Sequence, residues 1–119
     1  MIEFITVDDF KTKIFDFEAN KEWSFTGKPT LLNFTASWCG PCKMFAPTLE
    51  TLAEKYKGQI DILKIDIDQQ PQLPAMFGIR SVPTTLFLVK GEEPILAGGV
   101  ITEEQMVQAV EELLKLDNK

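Results

Sequence analysis

Trp38-Cys39-Gly40-Pro41-Cys42-Lys43 holds both cysteines of the 119-residue chain, with two residues between them. A chain that uses cysteine twice, at that spacing, has not placed the two independently. Immediately before it, Thr30-Leu31-Leu32-Asn33-Phe34-Thr35-Ala36 is an apolar run broken by one amide, the pattern of a central strand covered on both faces. After it, Phe45, Leu49, Leu52 and Tyr56 recur at i, i+4, i+7 and i+11 with charged residues between them, which predicts an amphipathic helix ended by Gly58. Pro41 suits the first turn of that helix, where a missing N–H costs nothing, and Pro47 inside it predicts a kink. The cysteine motif therefore falls at a strand-to-helix junction.

That junction has chemical consequences. The sulfur of Cys39 is expected to face unsatisfied backbone N–H groups and the positive end of the helix dipole, which favour thiolate over thiol. Lowering a thiol pKa by one unit takes ~1.4 kcal/mol, within the ~0.3–2 kcal/mol expected of a charge at a helix terminus. Cys39 is thus the predicted attacking thiolate. Cys42, three residues on and expected to be less exposed than Cys39, lies on the same side, so its attack on a mixed disulfide is intramolecular. Gly40 and Pro41 keep the turn tight without bulky cover. The expected cycle is attack by Cys39 on a substrate disulfide, resolution by Cys42, release of reduced product and storage of the oxidised pair as Cys39–Cys42. Two other readings of the pair are half of a zinc site and inert cysteines. A zinc site would need carboxylates or a dimer, since there is neither a second pair nor any histidine. No metal and no cofactor beyond the redox-active disulfide are expected.

Working outward, Ile2–Ile5 is short and β-prone, and Thr6 precedes Asp8 and Asp9, acids suited to a helix N-terminus, with Phe10 and Ile14 on one helix face. From Phe15 to Pro29 the period is lost while Phe17, Trp23 and Phe25 recur, an irregular connection whose aromatics are expected to fold back onto the core. Ile60–Ile67 reads as a strand of mixed polarity with Lys64 at its centre. Pro71 opens a brief helical turn carrying Leu73, Met76 and Phe77, stopped by Gly78. Thr84–Val89 is the strongest strand pattern. Lys90–Pro94 is a turn, and Ile95–Ala97 returns as a hairpin partner before Gly98-Gly99. Thr102 with Gln105 forms a capping-box pattern ahead of a closing helix whose apolar face is Met106, Val110, Leu113 and Leu114. Strand and helix alternate and then end in a hairpin and a helix. This order predicts an α/β fold with a mixed sheet of about five strands flanked on both faces by about four helices.

Composition supports one domain, residues 1–119, because this length suits a single core. Hydrophobic residues at 45% and charged residues at 25% exclude a disordered or collagen-like chain. A net charge of −6 without any basic run argues against nucleic acid as a partner. Nothing suggests a membrane span. The first residues lack the basic flank and apolar stretch of a secretory signal, so the cytoplasm is expected, or the periplasm if a signal peptide was trimmed. The lack of histidine removes the usual general base and any Cys-His nucleophile.

Beyond the cysteine motif, Ala46-Pro47, Lys64-Ile65-Asp66-Ile67-Asp68, Phe77-Gly78-Ile79-Arg80, Val82-Pro83-Thr84 and Gly99 follow in order. Together these segments resemble the thioredoxin family from about Pro29 to the C-terminus, and Trp38–Lys43 matches that family's active-site segment letter for letter. The resemblance implies the thioredoxin fold, with Trp38, Gly40, Pro41, Lys43, Asn33 and Lys64 supporting the catalytic Cys39 and Cys42. It implies a cis Val82–Pro83 bond facing the cysteines and pairing through its backbone with an extended substrate segment. Trp38, Gly40, Pro41, Val82, Pro83, Thr84, Gly99 and Val100 would bind substrate on a flat, mostly apolar face. The implied activity is protein-disulfide reductase, in electron transport and cell redox homeostasis. The implied partners are protein disulfide substrates and a thioredoxin reductase, with the chain itself a monomer. Two alternatives stay open: an extracytoplasmic disulfide oxidase or isomerase, and a non-catalytic binding subunit that uses the same face.

Two features depart from the family pattern. Asn33, six residues before Cys39, stands where thioredoxins usually carry a buried aspartate near a lysine matched here by Lys64. An amide takes no proton at neutral pH, so Cys42 is expected to lose its proton more slowly, through water or the developing charge change. Alternatively, Asn33 merely avoids burying a carboxylate, and Lys64 is then a solvated strand residue. The second departure is Phe15–Lys28, longer and richer in aromatics than the resemblance leads one to expect.

Overall fold

The computed structural model describes residues 2–118. The chain runs β1 (Glu3–Phe4), α1 (Val7–Lys13), β2 (Thr30–Thr35), α2 (Gly40–Lys55), β3 (Asp61–Asp66), α3 (Gln72–Met76), β4 (Thr84–Leu88), β5 (Ile95–Gly98) and α4 (Glu103–Asp117). The five strands form one sheet in the order β1-β3-β2-β4-β5. β1 and β2 both run parallel to β3, whereas β4 is antiparallel to β2 and β5 antiparallel to β4. The parallel pairs are joined by crossovers and the β4–β5 pair by a turn, as chain direction requires.

β2 lies at the centre, and Thr30 to Phe34 are all buried. Alternation of side chains along it divides the core in two. Leu31 packs with Phe45, Leu49 and Leu52 of α2 and with Met106, Val110 and Leu113 of α4. Leu32 and Phe34 point the other way, toward Phe10 of α1 and Leu73 of α3. Helices therefore cover both faces, and the strand that leads into the cysteine motif is held from both sides.

Local caps set where the helices begin. Thr6 caps α1, its Oγ1 accepting from the Asp9 N–H at 3.1 Å while the Thr6 N–H donates to Asp9 Oδ2 at 3.0 Å. The bond from the Thr6 backbone, then that from its side chain, holds the Asp9 carboxyl below its ordinary range. Thr102 and Gln105 make the same reciprocal pair ahead of α4, as the sequence pattern predicts. Gly78, with φ 68°, ends the α3 turn in a left-handed conformation that a side chain would disfavour. Pro47 lies within α2 and has no N–H to offer the carbonyl of Lys43.

The connection from Phe15 to Lys28 is irregular, and its aromatics do fold back. Phe25 is buried, Trp23 packs against Phe15 at 5.1 Å and edge-on to Phe77 at 6.0 Å, and Phe17 lies 6.2 Å from Phe10. The Trp23 indole N–H donates to the Glu92 carbonyl at 3.2 Å, tying this loop to the β4–β5 turn. In the α3 turn Leu73 is buried and Phe77 partly buried, whereas Met76 is exposed. A helix of five residues has only a narrow face, and Leu73 and Phe77 take it.

Tyr56, which ends α2, donates its hydroxyl to Glu111 of α4 at 2.7 Å. Burial, then that hydrogen bond and the carboxylate's charge, push its pKa up to about 12. A folded pKa above the unfolded one makes the tie a source of stability below pH ~10 that is lost as pH rises toward 12. Tyr56→Phe is accordingly expected to flatten the fall in urea midpoint over that alkaline window, and an unchanged slope would count against the tie. Among the described residues no helix is long and apolar enough to cross a membrane.

Candidate active site

β2 ends at Thr35, and the chain turns through Ala36, whose carbonyl accepts the Cys39 N–H at 3.2 Å. Cys39 is the N-cap of α2, with extended backbone angles (φ −90°, ψ 107°) that leave its side chain pointing back over the first turn. Its Sγ accepts the Cys42 N–H at 3.1 Å, one of the helix's otherwise unpaired donors. This is the electrostatic setting anticipated for a stabilised thiolate. The two cysteines are joined as a disulfide across a Cα–Cα distance of 5.3 Å. Cys42 is not the more covered of the two, as the sequence reading expects: Cys39 is 3% exposed and Cys42 7%. In the oxidised pair the Cys39 sulfur is bonded to Cys42 and lies 3.6 Å from the Val82 carbonyl oxygen.

The surface around the pair matches the expected docking face in part. Trp38 is 66% exposed, Val100 about half exposed, Gly40, Pro41 and Gly99 exposed, and Val82 half-buried. The Val82–Pro83 bond is cis. Gly99, with φ 83°, donates its N–H to the Pro83 carbonyl at 2.8 Å, so the end of β5 is fastened to the loop facing the cysteines. Pro83 and Thr84, however, are buried. Thr84 opens a central strand covered on both faces, and its hydroxyl turns inward to the Ser81 carbonyl at 2.7 Å. Their side chains thus stand behind the expected docking face, which leaves the expected role of the Pro83 backbone untouched. Lys43 is exposed on the first turn of α2.

Trp38 is held by Asp68, which the sequence reading places in a matched segment without assigning it a role. Its indole N–H donates to Asp68 Oδ2 at 2.8 Å, and the Asp68 N–H donates to Asp66 Oδ1 at 2.9 Å. A turn beyond β3 therefore fixes the angle of the exposed ring. A contact between residues thirty positions apart leaves no local pattern to find.

Asn33 is paired in register with Lys64 on one side and Thr85 on the other, so all three side chains lie on the face that α2 covers. They do not form one hydrogen-bonded network. The Lys64 ammonium lies 5.8 Å from the centroid of the Phe4 ring, out toward the sheet edge. Asn33 Nδ2 and Thr85 Oγ1 are both buried without a hydrogen-bond partner. An unpaired buried polar group costs about 1–3 kcal/mol. Lys64 is partly buried, and the polar row is Asn33 with Thr85, a residue absent from the expected site.

Comparison with known proteins follows the same line. The thioredoxin family model matches residues 4–112. The thioredoxin of Borreliella burgdorferi is 41% identical over 101 residues, covering 84% of this chain and 86% of that one. Thioredoxin 1 of a Nostoc species is 32% identical over 110 residues, covering 92% and 94%. Among solved structures, chloroplastic thioredoxin z superposes with a TM-score of 0.79 at 27% identity, covering 94% of this chain and 93% of that one. With its two cysteines bonded at the head of α2, beside a cis-proline loop, the chain belongs to the thioredoxin family and is a thiol–disulfide oxidoreductase.

Proposed function

We propose that the protein works in the reducing direction, as a protein-disulfide reductase that uses only its own cysteine pair and is recharged by a thioredoxin reductase. The observation that carries this reading is the Cys39–Cys42 disulfide set into an exposed rim of Trp38, Pro41 and Val100, with the Val82 carbonyl beside Cys39. Such a rim suits an extended polypeptide rather than a small thiol. The Gly-Pro pair between the cysteines and the curated relatives named thioredoxin support the direction. Cys39 thiolate attacks a substrate disulfide, forming a mixed disulfide and releasing one substrate thiolate. Cys42 gives up its thiol proton and attacks Cys39 Sγ, releasing the second substrate thiolate and closing Cys39–Cys42. Two electrons pass to the substrate, and the reductase returns two. The protein acts as a monomer in the cytoplasm.

Equilibration with glutathione tests the direction. A potential more reducing than about −240 mV, beyond the about −200 to −230 mV of glutaredoxins, is expected. A value above about −180 mV, near that of disulfide isomerases, would move the protein to the oxidase or isomerase class.

Asn33 bears on the rate of the second step. Asn33→Asp places a carboxyl opposite Thr85 on β4, and the family pattern makes it the expected acceptor of the Cys42 proton once ionised. Stopped-flow resolution of the mixed disulfide is expected to accelerate or change its pH profile. Burial raises a carboxyl pKa, so stability relative to the parent is expected to fall as pH rises through that raised value. A stability loss with an unaltered rate profile would leave Asn33 only the role of avoiding a buried charge.

A further inference from the structure

The aromatic loop from Phe15 to Lys28 also lines a cleft. Between it, α3 and β5 lies a cleft of about 600 Å³ lined by Phe15, Phe17, Trp23, Met76, Phe77 and Leu96. Its volume falls within the range of ligand sites and exceeds what a single aromatic side chain fills. Leu96, 47% exposed, and Met76 leave apolar surface open to solvent at its mouth.

The cleft borders an unoccupied sheet edge. Among the described residues β5 pairs only with β4, and its other side carries no strand. Gly99 bonds to the Pro83 carbonyl, and the register is one-to-one from there, Thr84 with Gly98 through Phe87 with Ile95. Antiparallel ladders alternate bonded and non-bonded pairs. Ala97 and Ile95 therefore spend their backbone groups on β4, while the N–H and C=O of Gly98 and Leu96 point off the edge. Ile95-Leu96-Ala97-Gly98 holds neither a charge nor a proline, the usual devices that protect such an edge.

The two features share Leu96. Its backbone faces the free edge and its side chain lines the cleft. Three residues on, about 10 Å of strand, the chain reaches Gly99 and Val100 at the rim of the cysteine pair. An extended polypeptide with a disulfide at Cys39 thus has a continuous path down β5. Lys21 and Glu93 stand at the cleft with opposite charges, so the lining favours apolar side chains over either sign of charge.

We propose that the outer edge of β5 and the adjoining aromatic cleft form a second binding site for the disulfide substrate itself. An extended segment flanking the substrate's cysteine adds to β5 as a sixth strand and places alternate aromatic or branched apolar side chains in the cleft. The identity of the occupant rests on the reductase reading, because that reading supplies a polypeptide at Cys39.

Two synthetic peptides with the same disulfide test it, one carrying a six-residue tail of alternating threonine with phenylalanine or valine, the other a Gly-Ser tail. The apolar tail is expected to raise kcat/KM at least about tenfold through KM. Leu96→Glu and Met76→Lys, both at exposed positions, are each expected to abolish the difference and leave the Gly-Ser peptide's rate unchanged. The apolar tail alone, without cysteine, is expected to shift the Trp23 indole and the Leu96 and Gly98 amide resonances. Equal kcat/KM for both peptides, or no shifts with the free tail, overturns the proposal. Shifts with the free tail but reduction of neither peptide would support the cleft as a peptide site and overturn the reductase reading instead. A concentration-dependent dimer that protects the same two amides without peptide would make a second copy of the chain the occupant, and also overturns it.

Discussion

Cys42→Ser is expected to yield a protein that attacks a disulfide once and then stops with the substrate attached to Cys39. In the folded chain the two cysteines lie 5.3 Å apart at Cα, and the first turn of α2 keeps both sulfurs on one side. Resolution by Cys42 is therefore intramolecular, whereas in the variant an external thiol must find the mixed disulfide. Well-oriented intramolecular reactions reach effective molarities of about 10⁵–10⁸ M, so turnover at millimolar thiol is expected to fall at least about 10³-fold. Mass spectrometry then finds the adduct on Cys39. Cys39→Ser is expected to lose the attack itself, because a serine hydroxyl at this N-cap does not ionise near neutral pH. The assignment rests on the N-cap geometry and the Cys42 N–H, not on exposure, since both cysteines are buried in the oxidised pair. An adduct forming on Cys42 in Cys39→Ser, at a rate near that of the parent, would reverse the roles.

Phe10→Ala carries the largest expected cost to stability. Its ring is fully buried on the sheet face away from α2, edge-on to Phe77 at 5.9 Å and tilted against Phe17 at 6.2 Å. Truncating a buried phenylalanine costs about 3–5 kcal/mol, out of a total of about 5–15 kcal/mol for a domain. The substitution also removes the ring that joins α1 to the aromatic loop and to α3. A urea titration is expected to show the full loss, and a change below about 1 kcal/mol would mean that the loop collapses into the space. At low temperature, where the variant stays folded, disulfide chemistry at Cys39 is expected to be unaltered, because Phe10 and the redox pair belong to separate packing clusters.

The elements were legible because each carries its own period. α2 announces itself by apolar residues on one face, β2 by a run covered on both sides, and α4 by the Thr102–Gln105 cap. Ends shift by a residue or so, as at β3, read as Ile60–Ile67 and found as Asp61–Asp66. The cis Val82–Pro83 bond followed from resemblance alone. What stayed hidden depends on partners distant in sequence. Asp68 meets Trp38 only because β3 runs beside β2, and Thr85 meets Asn33 only because β4 lies antiparallel to β2. The burial of Thr84 likewise comes from the place of β4 between β2 and β5, which no strand pattern specifies.

By itself, the amino-acid sequence determined the chemistry: two cysteines at a strand-to-helix junction, one of them able to cap the helix, suffice for dithiol exchange. Helix caps and hydrophobic periods act over a few residues, so they are written in the local order of the chain. Tertiary structure alone decided what surrounds that chemistry. It set Val82 against the sulfur, fixed the ring of Trp38 from beyond β3, left Asn33 and Thr85 buried without partners, and opened an aromatic cleft along β5. Those contacts arise from strand order and register, which depend on how the whole chain closes on its core.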